Sequence, residues 1–512
     1  MIAVNVDGIE SFSELAWMSN AFFAEKEPDH AILHAQVSVT TQMVTGIICL
    51  VEGARYDCEI RSLPRIHGDH DGNKAVRSLG KRALLLALHQ LLHRRTGRTL
   101  PWGVLFGVRP SKLAHGESAR VLVSEYAIRQ DRAQLLVEVA ENERRALPDL
   151  YQLGQEVSIY VGIPFCPTHC TYCTFPAYSM AEKARYAGDY MQALAMEIRA
   201  VGEALTAHGI PVTTVYIGGG TPTSLRAAEL DYLLTLLQDH LPNADRWREL
   251  SVEAGRADTI TADRVRVMKA AGVSRVSVNP QSFRDATLWK VGRGHSAKII
   301  DERFMLFREA GFENINMDLI MGLPGENLED ARFSLMRTLT LAPDSVTIHT
   351  LSYKRGAQVI KGSEHDEVPA ADMVEAMLDL AELQLRQHKL QPYYLYRQKN
   401  ILAGRENIGY AHVGKEGLYN ISIIEEAQTI VALGGGGASK WRDPQSGHIA
   451  HTVNARDPAA YVAHIEQIIE SKRQHIDALA KKRGLNYTEY IQENRLGKVV
   501  VGDTRGESTV RP

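Results

Sequence analysis

Residues 160–180 read YVGIPFCPTHCTYCTFPAYSM and carry Cys166, Cys170 and Cys173, three of the five cysteines of the chain. Three and then two residues separate the thiols, so one loop can wrap them around a single centre. Three ligands leave a tetrahedral metal site one short. Thiolates are the usual ligands of iron–sulfur clusters, and three of them leave one iron of a 4Fe–4S cube open to a small molecule. If that molecule is S-adenosylmethionine, its amino and carboxylate groups fill the vacancy. An electron passed into the sulfonium then releases a 5′-deoxyadenosyl radical, chemistry that no side chain performs alone. Two other readings stay open at this point: structural zinc with His169 or another residue as a fourth ligand, and three buried thiols with no metal. His169 adjoins Cys170, so both could face one ion only through a strained loop. Burial alone leaves the spacing unexplained.

Outward from this loop the chain alternates short apolar runs with helical patterns. Strand-like runs fall at 157–162, 213–220, 250–255, 274–280, 314–322 and 345–352, and helix-length segments at 189–205, 227–241 and 331–342 lie between them. Read as apolar on both faces, such strands predict a parallel sheet covered by helices. About six units suit an α/β fold built as a partial (β/α)6 barrel, with functional residues at the C-terminal ends of the strands. Residues 1–150 read instead as an α+β accessory domain. AQVSVTTQMVTGIICLVEG (35–53) suggests a strand or hairpin, and KAVRSLGKRALLLALHQLLHRR (74–95) an amphipathic helix. The barrel is expected over 151–390, an irregular C-terminal extension that completes the substrate pocket over 391–500, and a disordered tail over 501–512.

Composition narrows the function classes. A formal charge of −3 supplies no global field for nucleic acid or an anionic membrane, so local basic residues must hold any anionic substrate. The start shows no signal-peptide pattern, and ALLLALHQLL (83–92) is too short to span a bilayer. A clustered, odd cysteine set argues against a secreted disulfide framework, so the expectation is a cytoplasmic, reduced protein in which Cys49 and Cys58 are buried thiols. HGDHDG (67–72) reads as a polar turn, and GGGGAS (434–439), lacking the Lys-Ser/Thr ending of a P-loop, as a flexible packing loop.

Further motifs give the cysteine loop a context. GGGTPT (218–223), SVEAGR (251–256), SVNPQSF (277–283), KVGRGH (290–295) and NMDLIMGLPGE (316–326) punctuate successive strand ends. With Cys-x3-Cys-x2-Cys after a first strand, they resemble the radical S-adenosylmethionine superfamily. Within it they resemble the oxygen-independent coproporphyrinogen III oxidases, or dehydrogenases, of the HemZ type, and PWGVLFGVRPSKL (101–113) points the same way. The resemblance implies a 4Fe–4S cluster on Cys166, Cys170 and Cys173. It implies S-adenosylmethionine contacts from Tyr160, Tyr172, Gly219, Gly220, Thr221, Glu253, Gln281, Arg293 and Asp318. Arg355, Arg397 and Lys399 become candidates for the substrate propionates, since charge-assisted pairs are the natural grip for carboxylates.

The implied reaction converts two propionates of coproporphyrinogen III to vinyl groups, giving protoporphyrinogen IX in haem biosynthesis, with an electron donor such as flavodoxin or ferredoxin. Gly162 stands where the best-known branch has His, and Phe175 where it has a fourth Cys. Phe175 also matches the sister branch of haem chaperones, the HemW type, so a haem-binding role is the alternative. A radical enzyme acting on another substrate such as RNA is a third reading, resting only on the basic helix at 74–95.

Overall fold

The computed structural model describes residues 3–7, 13–22, 32–52, 55–64, 72–107, 109–175, 178–179, 186–352, 367–398 and 400–483. The chain divides into two compact units, one formed by residues 1–141 and 395–406, the other by 142–394 and 407–512. Residues 395–406, assigned by sequence to the C-terminal extension, thus group with the N-terminal unit. The expected tail at 501–512, most of HGDHDG, Arg355 and Lys399 lie outside the described residues.

The N-terminal unit is an α+β layer. Strands β1 (Ala3–Asp7), β2 (Ile32–Val39), β3 (Met43–Glu52) and β4 (Arg55–Pro64) form a sheet in that order, β1 parallel to β2 and the rest antiparallel. Alternation along β2 and β3 turns Leu33, Ala35, Val44, Ile48 and Leu50 toward helix Gly72–Thr96, which buries Leu84, Leu88, Leu91 and Leu92 against them. Gly46 permits that approach, since a Cβ there would lie 2.6 Å from the Leu84 nitrogen. Cys49 and Cys58 stand opposite each other on β3 and β4 and form a disulfide, and Cys58 is exposed. The expectation of two buried thiols fails because strand register brings positions nine apart to the same face of the sheet.

His89, on the same helix, is buried edge-on to Phe22 and stacked with His93. Burial first, and then the His93 charge, pushes its imidazole down to about 4. The folded value lies below the unfolded one, so the unfolded chain takes up this proton first as pH falls. Stability is therefore lost from about pH 6.5 downward, reaching about 3 kcal/mol near pH 4. We expect the thermal midpoint of the full chain to drop between pH 7 and pH 5 by more than that of His89→Leu. Parallel pH profiles for the two proteins would remove His89 from this role.

In the second unit six strand–helix pairs follow one another. The strands are β5 (Val157–Ile163), β8 (Val212–Gly219), β9 (Glu249–Glu253), β10 (Arg275–Ser277), β11 (Ile315–Met321) and β12 (Ser345–Thr350), all parallel to their neighbours. Two-residue strands β6 (Phe165–Cys166) and β7 (Tyr178–Ser179) pair inside the loop after β5. Past residue 390 the chain is more regular than its sequence suggests. β13 (Gln391–Tyr396) and β14 (Asn407–Ala411) extend the β12 edge, and β15 (Thr429–Gly434) lies parallel to β5 on the other side, followed by β16 (Ala438–Arg442) and β17 (Ile449–Val453). The result is the expected partial barrel, with seven parallel strands where the sequence suggested six.

The strands are not apolar on both faces. Ile159, Val161, Val215, Ile217, Val252 and Val276 face the covering helices in one core, while the residues between them turn a polar face into the lumen. Ser158 bonds Thr214 at 2.7 Å and Gln428 at 2.7 Å, and Asn316 contacts Ser277, Asp318 and Ser345 at 3.3, 2.6 and 3.0 Å. These buried polar groups remain tolerable because they hydrogen-bond one another. No helix among the described residues is long and apolar enough to cross a membrane.

The cysteine loop and the barrel lumen

The end of β5 carries the chain into the cysteine loop through four carbonyls, each of which accepts a hydrogen bond. Gly162 O accepts from the Tyr190 hydroxyl at 2.5 Å, Ile163 O from Gly220 N–H at 2.8 Å, Pro164 O from Tyr178 N–H at 2.8 Å and Phe165 O from Thr221 N–H at 2.8 Å. Gly219 has φ +108°, and a Cβ on Gly220 would come within 2.7 Å of the Phe165 carbonyl oxygen. Only glycines let this second loop press against the first. Its Thr221 hydroxyl lies 3.2 Å from Cys166 Sγ.

From the far side the loop is held by 291–293. Thr171 N–H donates to Val291 O at 3.1 Å, and the Thr168 hydroxyl donates to Gly292 O at 2.6 Å. Beneath it lies Arg256, a buried guanidinium that pairs with Asp258 at 2.8 Å, donates to Thr168 Oγ1 at 2.9 Å and to Arg293 O, and stands 3.6 Å from Cys170 Sγ. Sequence reading passed over Arg256, although it closes the SVEAGR motif three residues beyond Glu253.

Cys166 and Cys170 are buried, Cys173 is half-buried, and none of the three is in a disulfide. Burial pushes the Cys166 thiol up to about 11, against the pull of the Thr221 hydroxyl. An isolated thiol there stays protonated; a bound cationic centre would deprotonate it outright. Three thiols outside any disulfide on one loop, a guanidinium at one sulfur and two glycines opening the adjacent turn fit a cluster bound through three ligands.

Facing this loop, the lumen collects the other candidates. Glu253, at the end of β9, accepts a hydrogen bond from the Tyr216 hydroxyl, and burial pushes its carboxyl up to about 7 against that bond. Burial also works to raise Asp318 on β11, yet hydrogen bonds from His349, Asn316 and Thr347 hold it below the usual carboxylate range. Gln281 takes a left-handed backbone (φ 68°) and is stitched to β11, its N–H on Asp318 O at 2.9 Å and its O accepting from Ile320 N–H at 3.0 Å. Arg293 donates to Gly255 O at 2.9 Å and to Asn279 O, while its Nε and Asn279 Oδ1 find no partner among the described residues. Tyr172 lies within the loop beside Cys170 and Arg293, and burial raises its hydroxyl well above the ordinary value.

Tyr160 stacks with Tyr216 (ring centroids 6.3 Å) and Tyr419 (6.4 Å), and Tyr216 with Tyr419 at 4.6 Å. Tyr216 had a signal in the sequence, since Tyr160-Val-Gly162 and Tyr216-Ile-Gly218 share their spacing and pair in register. Tyr419 had none. It enters on helix Leu418–Glu425, whose first amides donate to the Glu249 carboxylate at 2.7 and 3.3 Å.

Arg397 lies outside the second unit. It belongs to the N-terminal unit, where both terminal nitrogens donate to main-chain carbonyls, those of Leu105 and Gly404, and burial pulls the guanidinium down to about 10. Its Nε finds no partner among the described residues, so the guanidinium keeps donors beyond those two bonds.

A family model for the Radical SAM superfamily matches residues 160–335. The oxygen-independent coproporphyrinogen-III oxidase-like protein HemZ of Bacillus subtilis is 42% identical over 401 residues, 77% of this chain and 80% of that protein. The heme chaperone HemW of the same organism is 30% identical over 276 residues, 53% of this chain and 68% of its own. Among solved structures, the coproporphyrinogen III oxidase HemN of Escherichia coli, described as a radical SAM enzyme, shares the fold with a TM-score of 0.50 at 22% identity, over 64% of this chain and 73% of that one. The polar-lined partial barrel, the three cysteines at the end of its first strand and the extent of the match to HemZ together place this chain in the radical SAM superfamily, in the HemZ family of coproporphyrinogen-III oxidase-like proteins.

Proposed function

We propose that the protein carries out the oxygen-independent oxidative decarboxylation of two coproporphyrinogen III propionates, yielding protoporphyrinogen IX. The observation that carries this reading is the loop of three thiols outside any disulfide, facing a polar lumen, in a chain that matches a coproporphyrinogen-III oxidase-like relative over most of its length. Cys166, Cys170 and Cys173 would hold a 4Fe–4S cluster, and S-adenosylmethionine bound to it supplies hydrogen-abstracting radical chemistry.

The chain's own residues bind and orient. Gly219, Gly220 and Thr221 present close-packed backbone beside the thiols, suited to an amino-acid moiety. Glu253, poised near neutrality, would be drawn to its carboxylate form by an ammonium or hydroxyl donor, and Asp318, already held ionised, accepts such donors directly. Arg293 Nε and Asn279 Oδ1 are buried polar atoms awaiting a partner, and Gln281 is set among them by its strained backbone. The stacked tyrosines form one wall of the lumen with apolar ring faces, which favours exclusion of water around the reacting carbon.

A second reading, a haem chaperone that keeps the cluster, is favoured by the HemW relatives. The test is an anaerobic assay of cluster-loaded protein with S-adenosylmethionine, a reductant, an electron acceptor and coproporphyrinogen III, read by mass spectrometry. Two successive losses of carbon dioxide coupled to 5′-deoxyadenosine are expected. Unchanged porphyrinogen together with tight haem binding in a spectral titration would overturn the oxidase reading in favour of the chaperone.

A further inference from the structure

We propose that Tyr190 is a positioning residue for the cysteine loop, fixing the exit of β5 so that the thiols and the Gly219–Thr221 backbone face one ligand in register. The inference rests on the reading that the three thiols hold a cluster.

Of the four carbonyls leading from β5 to Cys166, three accept from backbone amides and only that of Gly162 accepts from a side chain. The reason lies in the sheet. β15 runs beside β5 as far as Gly434, which pairs with Gly162, and there turns away with φ +82°. A ladder bond is missing where the neighbour leaves, and the Tyr190 hydroxyl replaces it. It donates to Gly162 O at 2.5 Å and accepts from Gly435 N–H at 2.8 Å, so one oxygen ties the two departing strands together. Position 434 admits no side chain, since a Cβ there would stand 2.3 Å from Gly162 O and 2.7 Å from that hydroxyl.

The ring itself is fixed from two sides. Phe165, which immediately precedes Cys166, packs on it edge-on with centroids 5.3 Å apart, and Tyr461 lies against it at 5.1 Å. Behind it, Glu197 on the same helix (Ala187–Ala207) accepts from Gly434 N–H at 2.8 Å and from the Tyr461 hydroxyl at 2.6 Å, holding the glycine turn from its far end. The cysteine loop thus hangs between two glycine turns. The turn after β8 touches it directly, and the turn after β15 acts on it through Tyr190. The GGGG stretch expected to be a flexible packing loop is this second, pinned turn.

Tyr190→Phe keeps both ring contacts and removes only the hydroxyl, leaving Gly162 O and Gly435 N–H buried without it. Tyr461→Phe is the control, since it strips a hydrogen bond from the same network without touching Gly162 or Gly435. Both variants are expected to fold, to melt a few degrees below wild type and to take up wild-type iron and sulfide. Only Tyr190→Phe should alter the electron paramagnetic resonance signature of the reduced cluster with S-adenosylmethionine present. It should also raise KM for S-adenosylmethionine about tenfold, kcat for 5′-deoxyadenosine formation changing by less than about twofold, the scale of an unsatisfied buried pair.

A Tyr190→Phe protein with the wild-type spectrum and KM, or a Tyr461→Phe protein that changes both equally, would overturn the positioning role. A wild-type chain that gives no cluster signal after reconstitution would overturn the reading beneath it, and the inference with it.

Discussion

Cys170→Ala, purified and reconstituted without oxygen, is expected to hold about a tenth or less of the wild-type iron and sulfide and to lose the brown absorption of the cluster. Formation of 5′-deoxyadenosine should fall by at least about a thousandfold, since the step has no route without the cluster. Cys170 is the middle of the three proposed ligands, buried, with the Arg256 guanidinium 3.6 Å from its sulfur. Two thiols cannot replace three. The loop itself should keep its place, because Thr168 still bonds Gly292 O, Thr171 N–H still bonds Val291 O and Arg256 still has Asp258 and Thr168. The variant should therefore melt close to wild type, which separates loss of the cluster from loss of the fold. Full iron retention would show that Cys170 is not a ligand. One equivalent of zinc and no iron in the wild-type protein would return the site to a structural metal.

The second large effect concerns a buried ion pair. Glu197 and Lys472 meet at 2.9 Å with almost no exposure, and Asn454, Tyr461 and Gly434 N–H complete the carboxylate's bonds. Glu197→Ala strands the ammonium of Lys472 in the core with Asn454 Oδ1, at 2.7 Å, as its remaining partner. The expected cost is about 3–5 kcal/mol, seen as a fall in thermal midpoint of roughly 10 °C. Replacing both charges, Glu197→Leu with Lys472→Met, should recover only part of that, since the stranded ammonium is gone but Gly434 N–H, the Tyr461 hydroxyl and Asn454 Nδ2 still lose their acceptor. A single variant melting within about 2 °C of wild type would mean that water or rearrangement relieves the ammonium, and the network would lose its structural weight.

Much of the barrel was legible in the sequence. Six apolar runs became six parallel strands, because a strand covered by helices needs a β-branched outer face wherever it sits. Their inner faces were misread. Runs such as VSIYVG contain Ser158, Tyr160 and Gly162 at alternate positions, and a reading by overall apolarity misses that parity, whereas the lumen depends on it. The cysteine loop was legible because its ligands are neighbours in sequence. Arg256 and Tyr216 went unread although each sits in a recognisable motif, and Tyr419 was not legible, since its role comes from a distant helix. Residues 395–406 and the Cys49–Cys58 bond escaped for the same reason: each depends on pairing across a separation to which local pattern is blind.

The place of β15 has a consequence for biosynthesis. β5 and its cysteine loop leave the ribosome early, whereas the strand that completes their sheet is made roughly half a chain later, and such non-local pairing closes last. Until then β5 presents an open apolar edge, the kind of surface that invites aggregation in a nascent chain. Iron delivered during translation would meet three thiols with one glycine turn in place and the other not yet synthesised. If the three thiols hold a cluster, its assembly is expected only after β15 has docked beside β5.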